Sequence, residues 1–441
     1  MADYLLTIAS VRAKSTPIFQ LALEDDLTNF DSHFDDASKL DSCLDFIVSL
    51  INRDFGKDYN SIPPHGRWQH LEAGGVSRVT KLVTKWHKNR VDQLEITRRL
   101  IDLFVVSVFL DAGAGDIWKF TEVNEDGTST SYGRSEGLAV ASYYMFAGGG
   151  MANDDVSDVV NAKKLFSITV EQMKSWLQID SANTMTGFEG RVELLRSLSQ
   201  SLWRNGEIFG GEGDSDNNRP GNIVDYLIKK CGGTTIDMTD LWDALMTGFN
   251  SIWKSRLVIE GKSLGDAWYC QSAAKVSSKK LGIKLEDLKE TDKIVPFHKL
   301  TQWLTYSLLI PLKKYGNFSV RNEELLTGLP EYRNGGLLID FGLLSIKPEA
   351  LTRGMSLGKE IPFYKPDDDL IVEWRSCTVG FLDYILPLVN EKLGIKGSSE
   401  ELVLPQLIEA GSWKAGREIA AKKRPSTKGP PIGLDSDGTV F

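Results

Sequence analysis

The chain has 441 residues, of which 41% are hydrophobic and 25% charged, and its net charge of −9 argues against a general nucleic-acid surface, which needs a basic stripe. The N-terminus has no basic segment followed by a long apolar core, so no signal peptide is expected, and the most apolar run, residues 100–110, is too short to span a bilayer. Four well-separated cysteines without a CxxC motif are typical of reduced thiols, so we expect a cytoplasmic protein without a disulfide framework or a zinc site.

The sequence pattern of the first 110 residues predicts helices that one unusual loop interrupts. Apolar repeats and Ser, Thr or Asp caps recur over residues 1–50, and the helical pattern returns over 76–110. Between them, residues 53–75 read RDFGKDYNSIPPHGRWQHLEAGG, whose prolines and glycines predict a loop. Because this loop is rich in Arg, His and Trp, it is either a docked wrapping segment or part of a pocket wall.

Small residues mark the next three segments. The phrase DAGAGDIW at 111–118 has no preceding strand and no full GxGxxG motif, so we exclude a dinucleotide site, although its small residues let backbone amides face a ligand. A short hairpin is predicted over residues 118–132. The phrase GRSEGLAVA at 133–141 predicts a tightly packed helix that Ser135 caps, with Arg134 at its mouth.

The middle of the chain is predicted to be helical. The pattern over residues 155–265 has the helical period throughout, with loops at 205–220 and 231–235. The first loop is long and polar, so it is either a surface excursion or a segment from which Arg219 points inward.

The C-terminal third predicts a further buried helix and an irregular tail. The helix lies near 296–312 and places His298 and Gln302 on one face. The Lys/Pro/Gly-rich residues 421–441 predict either a disordered tail or an extended wrapping arm, and the apolar end of SDGTVF suggests docking.

The stretch from residue 329 to 383 carries the most polar chemistry. The phrase PEYRNGG at 330–336 predicts a turn, and Asp340 alone interrupts the apolar run that follows it. Asp residues at 367–369 predict the N-cap of a long helix near 369–392.

That helix contains charges among apolar residues, and buried charges are tolerated when they are paired. We therefore expect an interior polar cluster formed by Glu331, Arg333, Asp340, Glu373 and Arg375. A purely structural ion-pair network is the alternative interpretation.

The patterns together predict a mainly α fold, a compact multi-helix body with a few short strands, because helical periods far outnumber alternating ones. We expect a single α-helical domain over residues 1–441, with an N-terminal lobe over 1–110 as one option and an extended C-terminal arm over 421–441. The apolar helices near 97–110, 296–312 and 369–392 are expected in the interior.

Several phrases together resemble a fungal and bacterial family of unknown-function proteins that is tied to uracil catabolism. They cover most of the chain in order: PPHGRWQHLEAGG at 63–75, DAGAGDIW at 111–118, GRSEGLAVAS at 133–142, NRPGNIVDYL at 218–227, PFHKLTQWLTYSL at 296–308, LPEYRNGGLLIDFGLL at 329–344, VEWRSCTV at 372–379 and GSWKAGREIAA at 411–421.

A weaker resemblance points to chemistry. The order of a small loop with Trp, an Arg-led helix, a Lys/Gln helix, an acid-Tyr-Arg turn and a Glu-x-Arg helix is similar to queuosine-nucleotide N-glycosidases, which are α-helical and related to helix-hairpin-helix DNA glycosylases. This resemblance implies an N-glycosidase without a cofactor, and the link to uracil catabolism implies that its substrate is a ribosylated uracil-breakdown product, such as ribosylurea or its phosphate. Together they imply an N-ribosyl hydrolase. Other uracil-catabolism enzymes are implied as partners. We expect the protein to bind neither nucleic acid nor a membrane.

N-glycosidic cleavage needs a carboxyl group near the anomeric carbon and a proton donor to the leaving nitrogen. Glu331 and Asp340 are the two candidate catalytic acids, the first by resemblance and the second by its apolar neighbours. We expect the remaining site residues to bind substrate: Asp111, Trp118, Arg134, Glu136, His298, Tyr332, Arg333, Asn334, Glu373 and Arg375. In particular, Asp111, Arg134 and Glu136 are expected to line the same cavity as the 331–340 segment.

Other functions remain open on the sequence alone. The five histidines form no HxH or HxxxH pair, so no metal site is expected. A non-catalytic partner that binds and channels the product of a ring-opening enzyme is one alternative, and a ureido amidohydrolase is another. A cavity with arginines but no accessible carboxyl group would favour the binding protein over an enzyme.

Overall fold

The structure, a computed structural model, describes residues 2–111, 114–115, 117–124, 126–153, 158–211, 215–252, 257–358 and 360–435. Helices dominate these residues, and the prediction of a mainly α fold with a few short strands is confirmed.

The α-helices of the described residues extend from one end of the chain to the other. They are α1 Ala2–Leu5, α2 Ile8–Leu23, α3 Ala37–Phe55, α4 Arg67–Leu71, α5 Arg78–Lys88, α6 Gln93–Phe109, α7 Arg134–Ala147, α8 Ala162–Ser167, α9 Val170–Trp176, α10 Phe188–Arg204, α11 Gly206–Phe209, α12 Ile223–Cys231, α13 Met238–Phe249, α14 Gln271–Leu281, α15 Lys299–Ile310, α16 Tyr332–Asp340, α17 Pro348–Leu357, α18 Asp369–Leu393, α19 Leu404–Gln406 and α20 Trp413–Lys423. Two π-helical segments, Pro311–Tyr315 and Leu407–Ser412, follow α15 and α19.

The strands are short and are paired two by two in the described residues. They are β1 Phe30–Ser32, β2 Lys119–Val123, β3 Ser129–Gly133, β4 Thr235–Asp237, β5 Val258–Ile259, β6 Lys262–Ser263, β7 Ala267–Tyr269, β8 Ile294–Pro296, β9 Ser319–Arg321, β10 Leu344–Ile346, β11 Phe363–Tyr364 and β12 Gly433–Leu434. The pairs β1–β10, β2–β3, β5–β6 and β7–β8 are antiparallel, whereas β4–β9 and β11–β12 are parallel.

The helices enclose two apolar cores. In the first, α6 is the central helix, and α7, α10 and α15 pack around it. In the second, α18 is central, and α2, α3 and α16 contact it. Both central helices are buried on almost every side over their apolar runs, which confirms the expectation that the helices near 97–110 and 369–392 lie in the interior. The buried helix expected near 296–312 is α15, which continues into the first π-helical segment.

The starts of α16 and α7 differ from the predictions. The segment 330–336 is not a turn, because Glu331 is the N-cap of α16 and the helix starts at Tyr332. Ser135 does not cap α7: the N-cap is Gly133, and the helix begins at Arg134, whose φ is +51°. At α16, the helix therefore begins inside the segment predicted as a turn. At α7, the N-cap lies two residues before the expected one.

Three other local predictions are confirmed. The hairpin expected over 118–132 is the β2–β3 pair. Asp368 is the N-cap of α18 and accepts a hydrogen bond from the backbone N–H of Leu370. Arg219 points inward from its loop and forms ion pairs with Glu95 and Asp102 of α6.

The C-terminal segment after α20 is an arm rather than a helix. It ends in β12, which pairs with β11. Its described part therefore matches the extended arm of the two alternatives. The docking expected for SDGTVF concerns residues 436–441, which lie outside the described residues.

Candidate functional site

A cavity of about 790 Å³ lies where the two cores meet, and we refer to it as the central cavity. Its size is that of sites for small molecules and cofactors. Polar and aromatic side chains from distant parts of the chain line it: His65, His70, Asp111, Arg134, Lys299, Trp303, Glu331, Tyr332, Arg333 and Trp413. A second cavity of about 210 Å³ near Trp176 has Lys164 as its charged lining residue, and it brings no carboxyl group to a ligand.

Glu331 lies in the wall of the central cavity at the N-terminus of α16. Its carboxylate accepts hydrogen bonds from the backbone N–H groups of Arg333 at 2.7 Å and Asn334 at 2.6 Å. Only 8% of the residue is exposed, and this burial raises the pKa of Glu331 above its ordinary value of 4.5, against the opposing effect of the two N–H groups and of Lys299. The site therefore holds a carboxyl group whose proton is retained more strongly than in water.

Lys299 is the first residue of α15 and supplies a cation to the same cavity. Its backbone N–H donates to Asp266 at 3.0 Å. Burial lowers the pKa of Lys299, while the carboxylates of Glu331 and Asp111 oppose that shift. No carboxylate of the described residues lies within ion-pair distance of its ammonium group, so Lys299 is available to an anionic or hydroxylated ligand.

The segment 53–75, which was predicted as a loop that wraps or forms a pocket wall, does line the cavity through His65 and His70, but its residues Arg67–Leu71 form the helix α4. Between them, Arg67 is fully buried and holds Asp111 in an ion pair of 2.7 Å. The guanidinium of Arg67 lies 3.3 Å from Nδ1 of His70. Burial and this neighbouring cation lower the pKa of His70 to about 4, so its ring is neutral at physiological pH.

Aromatic rings surround the other histidine of the loop. His65 lies between Trp303 and Trp413, with ring centroids 4.7 and 6.2 Å away. Its Nδ1 is 2.6 Å from Oε2 of Glu409, which lies on the π-helical segment Leu407–Ser412. This part of the cavity combines flat apolar faces with one imidazole–carboxyl pair, a surface that suits a planar polar group.

The C-terminal arm covers the cavity from outside. Arg424, at the start of the arm, forms a bidentate ion pair with Asp340 at 2.8 and 2.6 Å. The guanidinium of Arg333 donates to the backbone carbonyl of Lys428 at 3.0 Å. The arm then supplies lining residues as far as Leu434. Both ends of α16 thus hold the arm in place.

The structure brings some of the sequence-predicted site residues together and separates others. Those that line the central cavity are Asp111, Arg134, Glu331, Tyr332 and Arg333. The shared cavity expected for Asp111, Arg134 and the 331–340 segment is therefore present. Glu136 is not among the lining residues: it is partly exposed and pairs with Arg417 at 3.2 Å.

Three further predicted substrate-binding residues are buried outside the cavity lining. The indole of Trp118 donates to the carbonyl of Leu177 at 2.8 Å. His298 interacts through Nε2 with the carbonyl of Leu5 at 2.7 Å. The Asn334 amide donates to Leu329 and accepts from Ser412. In each case the polar atom already has a partner in the protein.

The single interior cluster of five charges is not what the structure contains. Glu373 accepts from the backbone N–H groups of Thr28 and Asn29 and from the Ser272 hydroxyl. Arg375 forms a bidentate pair with Asp266. Because α18 directs its charges to separate partners, Arg375 matches the structural ion-pair alternative, whereas Glu373 is held by hydrogen bonds. Asp340 is paired with Arg424 and is not among the residues that line the cavity, whereas Glu331 lines it, so Glu331 is the better candidate acid.

The residues of this region that were not predicted individually as site residues are His65, His70, Lys299, Trp303, Glu409 and Trp413. All but Glu409 lie in phrases that carried the family resemblance, at 63–75, 296–308 and 411–421. Lys299 and Trp303 are four residues apart on α15 and share a face, which is a pattern that the sequence does show. The pairing of His65 with Glu409 joins residues 344 apart in the chain and has no local signal.

Two structural features limit the classes of site. Among the described residues, no group of three or more His, Cys, Asp or Glu side chains is arranged to hold a metal ion. Within the same residues, no helix is both long and apolar enough to cross a bilayer.

The fold and site define an α-helical protein with a large, partly aromatic cavity that contains a buried carboxyl group. Over residues 4–441 the chain matches a family described as a protein of unknown function (DUF1688), and it belongs to that family. It is 49% identical to "Uracil catabolism protein 4" of Lachancea kluyveri over 454 residues, which cover 100% of this chain and 98% of that protein. It is 45% identical to "Protein urg3" of Schizosaccharomyces pombe over 439 residues, 99% of this chain and 98% of that protein. The resemblance stated from the sequence phrases is thereby confirmed.

Proposed function

We propose that this protein is an N-ribosyl hydrolase of uracil catabolism that cleaves the N-glycosidic bond of ribosylurea or its phosphate. The place in uracil catabolism rests on the similarity to the protein that carries this name in Lachancea kluyveri. The reaction class rests on the weaker resemblance to queuosine-nucleotide N-glycosidases and on the chemistry of the central cavity.

The observation that carries the proposal is the buried carboxyl group of Glu331 in the wall of a cavity of ligand size. An acid with a raised pKa keeps its proton at a higher pH and can then give it to a leaving nitrogen. Asp111, ion-paired with Arg67, places a second carboxylate in the same cavity. Two carboxyl groups in one site are the usual equipment for an oxocarbenium-like transition state.

The reaction proceeds as the bond between the ribose C1′ and the urea nitrogen breaks. Glu331 donates its proton to that nitrogen, and Asp111 stabilises the positive charge that develops on the ribose. Lys299 and Arg333 bind the ribose hydroxyls or the phosphate, and Tyr332 and Trp413 pack against the planar ureido group. Water adds to C1′ and gives up a proton, which a base in the cavity can accept.

The cavity favours an enzyme over the non-catalytic alternative. A protein that only binds and channels a product needs arginines and lysines but no accessible carboxyl group, whereas Glu331 and Asp111 both line this cavity. A ureido amidohydrolase normally needs a metal cluster or an activated nucleophile, and the described residues do not cluster in the way that holding a metal ion requires.

The test is incubation of the purified protein with ribosylurea and, separately, with its 5′-phosphate, followed by detection of free ribose or ribose phosphate. Glu331→Gln should lower turnover by about 10²–10⁴-fold, the usual contribution of a general acid. Asp237→Asn is the matched control, because Asp237 is also a helix-capping carboxylate but lies outside the cavity lining. A folded Glu331→Gln variant with wild-type turnover would contradict the assignment. Tight binding of ribosylurea without any release of ribose would favour the channelling partner.

A further inference from the structure

The imidazole of His65 is a polar group of the central cavity that has no role in the steps proposed for Glu331 and Asp111. His65 is 4% exposed and lies in the cavity wall. Its Nδ1 is bonded to Glu409 at 2.6 Å, and Nε2 has no hydrogen-bond partner among the described residues. A carboxylate that accepts from Nδ1–H leaves the lone pair of a neutral imidazole on Nε2. The open nitrogen is thus the one that can accept a proton.

The backbone around this pair is tied together on both sides. The N–H of His65 donates to the carbonyl of Pro405 at 3.0 Å, and the amide of Gln406 donates to the carbonyl of Ile62 at 3.0 Å. The loop that carries His65 is therefore fixed against the turn that carries Glu409. Because the backbone beside His65 and its Nδ1 are both held, the imidazole has a defined orientation, which proton transfer requires.

The π-helical segment Leu407–Ser412 also connects this pair to Glu331. Glu409 lies in the middle of the segment, and Ser412 at its end donates to the side-chain oxygen of Asn334 at 2.8 Å. The backbone N–H of Asn334 in turn donates to the Glu331 carboxylate. A π-helical turn is rare and is frequently found at functional sites. This one joins the segment that carries Glu409 to the helix start that carries Glu331.

We propose that His65, oriented by Glu409, is the base that accepts the proton of the attacking water. This inference rests on the proposed N-ribosyl hydrolase function. The C1′–N bond breaks while the Glu331 carboxyl group gives its proton to the leaving nitrogen, and the C1′–O bond forms as water gives a proton to Nε2 of His65. The imidazolium then loses this proton to solvent, Glu331 takes one up, and the net reaction consumes one water. His65 is the catalytic residue and Glu409 is a positioning residue.

The other candidates for this base are less suited to it. His70 has no carboxyl partner of the described residues at hydrogen-bond distance, and the Arg67 guanidinium 3.3 Å from its Nδ1 disfavours a second positive charge there. Asp111 already accepts a hydrogen bond from that same guanidinium. Of the two histidines, His65 is the one with a carboxyl group, that of Glu409, placed to stabilise its protonated ring.

The experiment compares variants of His65 with a matched histidine on the surface. His65→Asn keeps a donor for Glu409 but removes the proton acceptor, and it should lower kcat for ribose release by about 10²–10⁴-fold with little change in KM. His87→Ala is the control, because His87 is exposed on α5 and away from the cavity. His65→Ala leaves space for a free imidazole molecule, and added imidazole should restore part of its rate.

Glu409 provides an independent readout. When two residues act as a unit, the losses of rate from replacing each of them do not add. The double variant His65→Asn/Glu409→Gln should therefore turn over no more slowly than His65→Asn alone. Glu409→Gln alone should reduce kcat by about 10–100-fold, as loss of a carboxylate that orients a histidine does. Additive losses in the double variant would overturn the relay between the two residues.

The outcomes separate this inference from the proposed function. If wild type releases no ribose from either compound, the N-ribosyl hydrolase itself is wrong and the role of His65 in it falls too. If wild type is active and folded His65→Asn has the same rate, His65 is not the base while the hydrolase stands. If His65→Ala is slow, melts at lower temperature and does not respond to imidazole, its role is structural and the proposal is overturned.

Discussion

Glu331 caps a helix and lines a cavity at the same time, and these two positions act on its carboxyl group in opposite directions. The two N–H groups at the start of α16 favour the charged form, as a helix N-terminus does. Burial favours the neutral form and is the larger effect, so the pKa of Glu331 is raised. Capping a helix does not by itself require a side chain to be buried, so the burial of Glu331 distinguishes it from a purely structural N-cap.

This balance predicts a pH dependence of stability. Because the pKa of Glu331 in the folded protein lies above its ordinary value of 4.5, folding strengthens proton binding, and this contribution is fully present below pH 4.5 and is lost as the pH rises through the folded pKa. The melting temperature of wild type relative to Glu331→Gln should therefore fall as the pH rises from below 4.5 to about 8. Thermal denaturation of both proteins in one buffer series measures the difference.

Asp237 is the control for the sign. Hydrogen bonds from the backbone and hydroxyl of Thr239 lower the pKa of Asp237, so its contribution is present above the unfolded pKa and is lost as the pH falls. Wild type relative to Asp237→Asn should gain melting temperature as the pH rises. The same direction for both acids would show that Glu331 is not governed by burial.

A second prediction concerns the buried ion pair of Arg375 with Asp266. The side chain of Arg375 is fully buried, and removal of one partner leaves an uncompensated charge in the interior. Arg375→Met should lower the free energy of unfolding by about 3–5 kcal/mol. Chemical denaturation measures this, with Arg98→Met as the comparison, because the pair of Arg98 with Asp225 is partly exposed and such pairs contribute only about 0–1 kcal/mol. Equal losses would contradict the structural assignment of Arg375.

For single residues, the sequence predicted which charged side chains are buried but not which side chains they pair with. Apolar neighbours correctly showed that Glu373, Arg375 and Asp340 are buried, because helical spacing is visible in the chain. The partners Asp266 and Arg424 lie far away along the chain and carry no local pattern. The prediction of one shared cluster was wrong for that reason. The shared cavity predicted from small residues at helix starts holds for Asp111 and Arg134 but not for Glu136.

Among the elements, α16 and α20 determine the position of Glu331. The two helices pack closely, and Gly416 of α20 lies against the backbone carbonyl of Arg333. A Cβ atom at position 416 would overlap that carbonyl oxygen. A backbone atom cannot move aside as a flexible side chain can, so this glycine is required by the close approach.

Gly416→Ala should therefore separate the two helices. We expect a loss of about 1–3 kcal/mol in the free energy of unfolding, as for other overpacked sites, and a lower ribose release per folded molecule because the start of α16 shifts. Gly190→Ala is the matched control: Gly190 lies inside α10, where an added methyl group meets open space, and alanine there should stabilise the helix by about 0.5–1 kcal/mol. Denaturant unfolding of both variants measures the contrast, and a neutral Gly416→Ala would contradict the packing.

Helices were the most predictable elements of this chain, and irregular turns the least. Long apolar periods locate α6, α15 and α18 within a few residues, and an acidic cap marks the start of α18. The π-helical segment Leu407–Ser412 has the same residue types as an ordinary helix, so composition does not distinguish it. Its position depends on tertiary contacts, such as the bonds from Ser412 and Gln406 to distant segments.

On the scale of the whole molecule, the central cavity exists because two separate apolar cores meet around it. Residues 71–110 contribute to the first core and residues 18–62 to the second, so the N-terminal quarter of the chain is shared between them. The segment between them carries His65 in a loop and Arg67 and His70 on α4, and it lies at the boundary. A chain that crosses from one core to the other brings polar loop residues to the junction, where a ligand can contact both cores.

The C-terminal arm closes this junction, and its removal should weaken both the fold and substrate binding. A chain that ends after Arg424 keeps the ion pair with Asp340 but loses the wall that residues 425–434 supply, including the buried Ile432. Burial of one such side chain contributes about 1.5–3 kcal/mol, so the melting temperature should fall while the helical signal in circular dichroism remains. KM for release of ribose from ribosylurea should rise by about tenfold or more, because each lost 1.4 kcal/mol of binding corresponds to tenfold. Asp340→Asn keeps every wall residue and only weakens the anchor, so its KM should lie between those of wild type and the truncated chain. A folded truncated chain with wild-type KM would show that the arm covers the cavity without contacting the substrate.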